Sequence, residues 1–268
     1  MIEYVDVLPI SIWGRLSVHP FGVLVVVGCF AGYVVGRWFA GRMDLDLTVF
    51  TRLFFWILLP TFFCSYWFSA IFYYPAQFFS APLRYTFQFS SMSSYGGFFG
   101  GALGAIVFLY ATKSTRKWEY IDALIAGIAA AWFFGRLGCT IVHDHPGKRT
   151  DFFLAVNFPD GPRHDLGFYE WLFTIFINIV LLLFWNKRLC SPGMTIGIVC
   201  ACYGPARFVL DFLRIDDKRY SGLTPAQYAS IVLTAFGVWL LVTRGNRRNP
   251  VVGKSSRRSV CVDAETPV

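Results

Sequence analysis

Charge is scarce in this chain. Asp, Glu, Lys and Arg make up 15% of its 268 residues, against about 25% in soluble domains. A water-soluble globule of this length could not hide the apolar remainder, because even a 300-residue domain leaves about a quarter of its unfolded-chain surface exposed. Cysteine supplies no framework either: Cys29, Cys64, Cys139, Cys190, Cys200, Cys202 and Cys261 include no CxxC pair, and size and composition exclude a secreted disulfide scaffold. Period-two alternation is absent, which argues against a membrane barrel. No two-fold internal repeat stands out, which ranks a small-solute transporter last. The first apolar stretch lacks a basic leader and a small-residue cleavage site, so it reads as a retained helix and not a signal peptide.

What is present is apolar and aromatic. The wide apolar count is 56%, with 29 Phe, 13 Tyr and 9 Trp, and mean hydropathy is +0.52. Disorder is excluded by the same numbers. Crossing roughly 30 Å of hydrocarbon takes about 20 helical residues. Seven stretches qualify: Phe21–Gly36, Leu53–Tyr74, Gly96–Thr112, Ile121–Val142, Leu166–Trp185, Gly193–Leu213 and Pro225–Thr243. The expected fold is an all-α polytopic membrane protein with about seven transmembrane helices. It forms one domain over 1–243, followed by a basic tail over 244–268 without periodicity, expected to be disordered.

The net charge of +8 is an orientation signal. Arg37, Arg42, Arg52, Lys113, Arg116, Lys117, Lys187, Arg188 and the basic tail fall on one side. Arg15, Arg84, Lys148, Arg149, Arg163, Arg214, Lys218 and Arg219 fall on the other, partly offset by nearby Asp. The positive-inside rule then puts the N-terminus outside and the C-terminus in the cytoplasm. The basic excess meets anionic membrane lipids and is no nucleic-acid surface.

Glycines recur every four residues at Gly28, Gly32 and Gly36, and crowd the third span at Gly96, Gly97, Gly100, Gly101 and Gly104. Such spacing suits close helix packing in lipid; a groove for an acyl chain is the alternative.

Two arginines sit inside predicted spans, where an Arg at mid-membrane costs about 2.5–3.5 kcal/mol on insertion scales and usually faces a cavity or a partner. Arg136 lies about 16 residues above the inner end of the fourth span, roughly 24 Å, and Arg207 about 14 residues up the sixth, roughly 21 Å. Both guanidiniums are expected at one depth in the outer half of the bilayer. Tyr203, Arg207, Asp211 and Arg214 share one helical face; a simple Arg207–Asp211 ion pair is the plainer reading of that face. Tyr95, His19, Arg163, His164, Tyr169, Glu170, His143, Asp144 and His145 lie at the same outer level. Two phosphate-binding guanidiniums among acid/base groups describe a phospholipid-headgroup site, although a soluble anion could use the same groups. His143-Asp144-His145 has metal-like spacing, but no third ligand of fitting spacing is evident. No metal or organic cofactor is expected.

These residues fall into four motifs, in an order that resembles the prolipoprotein diacylglyceryl transferase family over residues 19–214. Ser94-Tyr95-Gly96-Gly97 resembles its His-Gly-Gly motif, and Gly135-Arg136-Leu137-Gly138 its Gly-Arg-x-Gly-Asn signature. Arg163-His164 with Tyr169-Glu170 keeps the spacing of its Arg-His-Pro-x-x-x-Tyr-Glu motif. Tyr203-Gly204-Pro205-Ala206-Arg207, with Asp211 and Arg214, is similar to its Tyr-Gly-x-x-Arg-x-x-x-Glu-x-x-Arg run.

The resemblance implies an enzyme of the bacterial cell inner (cytoplasmic) membrane. It would move a diacylglyceryl group from phosphatidylglycerol to the lipobox cysteine of a prolipoprotein signal peptide, forming a thioether and releasing glycerol phosphate. It implies Arg136 and Arg207 as the phosphate clamp, with Tyr203 and Glu170 orienting them; Tyr95, at the place of the family's His, and the nearby His143 and His145 are the candidates for the proton chemistry. Tyr169, His164, Asp144, Asp211, Arg214 and His19 complete the candidate binding set.

The chain departs from the family at several places. Tyr95 stands for the family's His, Cys139 for its Asn, Asp144 near its Glu and Phe21 for a Tyr. The Arg expected in the second span is missing, with Ser65-Tyr66 nearby. A phenol with an ordinary pKa of about 10 is a poor base unless a cation lowers it. His143 or His145 is therefore expected to take the role that Tyr95 cannot. A non-catalytic phospholipid-binding or lipid-moving protein of the same fold is the rival reading.

Overall fold

The computed structural model describes residues 1–5, 7, 10–13, 16–81, 92–186, 191–215 and 217–244. Seven of its helices are long and apolar enough to cross a membrane. They are α1 (Pro20–Arg42), α2 (Leu47–Tyr73), α4 (Ser94–Ala111), α5 (Lys117–Val142), α6 (Leu166–Asn186), α7 (Met194–Leu210) and α8 (Pro225–Arg244). The short α3 (Pro75–Ser80) follows α2, and a single 3-10 turn over Asp211–Leu213 extends α7. The chain is an all-α polytopic membrane protein. Its outward faces carry residues such as Phe30 and Val232, 69% and 70% exposed, which only hydrocarbon can cover at low cost. The expected tail beyond Arg244, and the orientation signals Arg15, Arg84, Lys187 and Arg188, lie outside the described residues.

Helices begin and end where capping chemistry allows. Asp46 starts α2 six residues before the predicted boundary, because its carboxylate accepts from the backbone N–H of Thr48 (2.7 Å) and Val49 (3.3 Å). Asp122, buried in α5, accepts from the N–H groups of Gly193 (2.6 Å) and Ile196 (3.3 Å) and so caps α7 from a neighbouring helix.

Packing is set by small residues. A β-carbon at Gly28 would stand 2.7 Å from the carbonyl oxygen of Ala131, and at Gly32 2.8 Å from that of Gly127, so α1 lies directly against the α5 backbone. Gly96 and Gly100 bring α4 equally close to the backbone of α2 at Cys64 and Pro60. The glycine repeats thus serve close helix approach.

A small sheet covers one end of the bundle. Strands β1 (Ile2–Glu3), β4 (Pro146–Arg149), β5 (Val156–Phe158) and β6 (Gly161–Asp165) are ordered β1-β5-β6-β4, with β1 parallel to β5 and the other pairs antiparallel. A separate hairpin joins β2 (Ile10–Trp13) to β3 (Leu16–Val18). These strands of two to five residues are too short to show periodicity in the sequence. The sheet end is also where α5 and α7 finish and α4, α6 and α8 begin, and those five helix ends build the site.

Candidate active site

Three helix ends supply the centre. Arg136 is near the end of α5, Glu170 in the first turns of α6 and Arg207 near the end of α7, and all three are buried. Glu170 bridges the two guanidiniums. Its Oε2 lies 2.5 Å from Arg136 Nη2 in an ion pair, and its Oε1 accepts from Arg207 Nη1. Arg136 has no acidic partner on its own helix, and α6 provides one in Glu170. The two guanidiniums stand at one level of the bundle, since one carboxylate touches both cations. The plainer ion-pair reading is also met in part, because Arg207 Nη2 lies 3.0 Å from Asp211 Oδ1.

A second layer holds these groups in place. Asp211 accepts from the Thr224 hydroxyl through its other oxygen. Thr224 in turn caps α8: its Oγ1 accepts from the Gln227 N–H at 3.1 Å, and Gln227 Oε1 accepts from the Thr224 N–H at 3.0 Å. That reciprocal pair is a capping box, which the sequence carries as the Thr-x-x-Gln spacing of Thr224 and Gln227. Arg136 also donates from Nη2 to Ser94 Oγ at 3.3 Å and from Nη1 toward Cys139 Sγ at 3.9 Å. One turn deeper, Tyr203 packs edge-on against Trp132 (centroids 4.5 Å apart) and Phe98 (5.8 Å), forming an aromatic floor.

Beside the arginines opens a cavity of about 120 Å³, lined by Ser94, Tyr95, Arg136, His145, Arg207, Arg214 and Asp217 among others. Arg207 Nε is buried and has no hydrogen-bond partner among the described residues, and the same holds for the Tyr203 hydroxyl. At the cavity wall Arg214 Nε pairs with Asp217 at 2.7 Å. Burial pushes the Asp217 carboxyl above its usual range, with Arg214 pulling it back. The Tyr95 hydroxyl meets Ser230 Oγ, and Ser230 donates its own proton to the Ala226 carbonyl at 2.8 Å. Tyr95 is therefore the donor in their shared bond.

Other candidates sit outside this centre. His143 ends α5 in the left-handed conformation (φ 49°), its Nδ1 2.6 Å from Asp165 Oδ2 and its ring beside Tyr4 and Phe158. It does not line the cavity. Burial raises the Asp165 carboxyl against the pull of His143. His164 faces the Tyr169 hydroxyl at 2.9 Å, and burial lowers its pKa. His19 caps α1 at an exposed position without a side-chain cap bond. Asp144 and His145 follow His143, and only His145 reaches the cavity. Ser65 and Ser93, near the place of the expected second-span Arg, tie α2 to the start of α4: Ser65 Oγ donates to the Ser93 carbonyl at 2.8 Å.

His143 and Asp165 join the last turn of α5 to the start of α6, where Asp165 Oδ1 accepts from the Phe168 N–H at 3.2 Å. Replacing His143 with Ala should lower stability by about 1–3 kcal/mol, because a buried carboxylate loses its partner. An unfolding midpoint in detergent equal to the parent's would refute that structural role.

Seven membrane-length helices around a buried Arg–Glu–Arg bridge beside a polar cavity define a multi-pass membrane protein. The chain belongs to the prolipoprotein diacylglyceryl transferase family, whose model matches residues 8–243. Similar proteins include the phosphatidylglycerol–prolipoprotein diacylglyceryl transferase of Solidesulfovibrio magneticus, 28% identical over 88% of this chain and 94% of that protein. Proteins of the same name from Idiomarina loihiensis (27% identical, 89% of this chain and 92% of that protein) and Chromohalobacter salexigens (28%, 94% and 97%) are comparable.

Proposed function

We propose that this protein transfers the diacylglyceryl group of phosphatidylglycerol to the lipobox cysteine of a prolipoprotein, in the first step of lipoprotein maturation. The observation that carries this reading is the convergence of Arg136 and Arg207, from separate crossings, at the wall of one polar cavity. Family membership agrees with it.

The chemistry requires a cysteine sulfur to attack the glycerol carbon bonded to phosphate. The carbon–sulfur bond forms, the carbon–oxygen bond to phosphate breaks, and the thiol proton ends on the released glycerol phosphate. Developing charge on the leaving phosphate needs preorganised donors. A guanidinium has five N–H groups, so Arg207 can hold Glu170 and Asp211 through its terminal nitrogens and still offer Nε. Glu170 and Asp211 together offset the two guanidinium charges before the lipid arrives, and Glu170 fixes both forks in the orientation that a phosphate would meet. The buried Tyr203 hydroxyl has no hydrogen-bond partner among the described residues, and Tyr95 lines the cavity with its hydroxyl bonded to Ser230. Arg214 and Asp217 line the cavity wall, and His145 borders the place where the thiol must enter. Asp144, His164, Tyr169 and His19 lie outside the cavity lining and complete the proposed binding set for lipid and peptide.

The same reading places the N-terminus outside and the C-terminus in the cytoplasm, in a bacterial inner membrane, with 1–243 as the transferase domain and 244–268 as a basic tail. Production of the chain in a strain depleted of its own transferase tests the function. Restored growth and a thioether-linked diacylglyceryl group on a lipobox peptide are expected. Phosphatidylglycerol binding without any modified cysteine would instead establish the lipid-binding rival.

A further inference from the structure

We propose that the turn between β4 and β5 inserts two phenyl rings, Phe152 and Phe153, into the bilayer leaflet on the sheet side, where phospholipid acyl chains cover them. The turn is thus a membrane anchor outside the seven spanning helices. Its partner is the lipid surface itself, which is present whatever the protein catalyses.

Phe152 is 43% and Phe153 68% exposed, and their rings lie with centroids 4.5 Å apart. Neither belongs to a spanning helix, so the apolar demand of a crossing does not account for them. The backbone of the turn is pinned at both ends. The Thr150 N–H donates to the Pro162 carbonyl at 3.1 Å, and the Phe152 N–H donates to Thr150 Oγ1 at 3.2 Å. The Ala155 N–H donates to the Phe152 carbonyl at 2.9 Å, while the Ala155 carbonyl accepts from the Ile2 N–H at 2.8 Å. Ala155 is fully buried. A turn held in this way cannot fold its rings into the protein. Their cover must come from outside, because exposed phenyl surface is costly in water.

Where the turn sits says what that cover is. The Tyr169 hydroxyl lies 3.4 Å from the Leu154 carbonyl, and the Phe152 ring is 6.2 Å from that of His164, just before α6 begins. The turn therefore stands at the level where α6 enters the membrane. Along α6, Tyr169, Leu172, Phe176, Ile179 and Leu183 recur at three- and four-residue spacing and form one stripe. The last four are 38%, 52%, 51% and 55% exposed, a face that hydrocarbon covers. Because the turn is bonded to the top residue of that stripe, Phe152 and Phe153 continue a lipid-facing surface. Their depth is limited by the exposed Arg149 and Asp151 that flank the pair. Charges stop among the headgroups, whereas apolar side chains of interfacial segments enter about 5–10 Å. Asp160 pairs with both Arg149 and Arg163, and Asp151 further offsets Lys148. The contact thus relies on the rings and not on a headgroup charge.

The test uses the full chain in phosphatidylcholine nanodiscs, with the photoreactive substitution Phe153→benzoylphenylalanine. Irradiation should add the mass of one phospholipid, with the new bond on an acyl-chain carbon. The same replacement at the lipid-facing Phe176 is the positive control, and Phe152→benzoylphenylalanine is a second variant expected to label in the same way. Adding phosphatidylglycerol to the nanodiscs should leave the yield unchanged. Adducts confined to the headgroup, a crosslink to a second copy of the chain, or no adduct at either 152 or 153 while 176 labels overturns the proposal. A yield that rises with the phosphatidylglycerol content also overturns it, since a charged headgroup would then make the contact. So does a lipid adduct replaced by a peptide adduct when a lipobox peptide is added, because the rings would then be a peptide-docking surface.

Discussion

Arg207→Ala should lower lipid transfer by about 100- to 1,000-fold, the effect of removing a preorganised donor aimed at developing charge. Arg136→Ala should fall in the same range, since the two side chains converge on one carboxylate. Both variants should still insert. In Arg207→Ala, Glu170 keeps Arg136, and Asp211 keeps the Thr224 hydroxyl, so no buried carboxylate is stranded. Lysine is expected to rescue little. Arg207 engages Glu170 and Asp211 through different nitrogens of one planar fork, whereas an ammonium is a single point charge on a flexible stem. Rates measured on membranes with matched protein levels decide the matter. Near-parental transfer in correctly inserted Arg136→Ala and Arg207→Ala would end the phosphate-clamp mechanism.

Glu170→Ala is expected to be worse for the fold than either arginine variant. Glu170 is essentially sealed from solvent and is the only acidic group paired with Arg136 among the described residues. Its loss leaves one guanidinium with Ser94 and Cys139 as its side-chain hydrogen-bond partners among the described residues and weakens the hold on the other. Breaking a buried pair by removing one partner costs about 3–5 kcal/mol. Reduced accumulation and a lower unfolding midpoint in detergent are the expected results. Glu170→Gln separates the charge from the contacts. It keeps an acceptor oxygen for one arginine but turns a donor toward the other, so it should recover only part of the stability. If Glu170→Ala unfolds like the parent, the bridge is not what holds the three helices at this level.

Much of the architecture was legible because the bilayer allows so few solutions. A run of apolar residues long enough to cross must become a helix, since no water is present to satisfy a free backbone, and the seven predicted spans coincide with the seven observed. The α2 boundary was misjudged because Thr48, Thr51 and Arg52 interrupt the apolar pattern, while the cap that starts the helix is the Asp46 side chain. The four-stranded sheet that contains β6 is not legible in the sequence because its strands are too short to print a period.

The site was half legible, for a related reason. Arg136 and Arg207 stand out in any reading, because a charge inside a span is costly enough to demand a partner. Which partner is a matter of three helices meeting, and nothing along the chain says that Glu170 will face both cations or that Thr224 will reach Asp211. His143-Asp144-His145 looked like a unit because the three are neighbours in sequence. A left-handed turn at His143 separates them, sending one ring to Asp165 and returning the other toward Cys139.

By itself the sequence determined the class of protein, the crossings and the two expensive cations, because hydrophobic length and buried charge are local properties with large energies. Only the tertiary structure decided who neutralises those cations, which histidine reaches the cavity and how close the glycine-bearing helices lie. Those outcomes depend on distances between segments far apart in the chain, and such distances are set by packing and not by any residue's own preference.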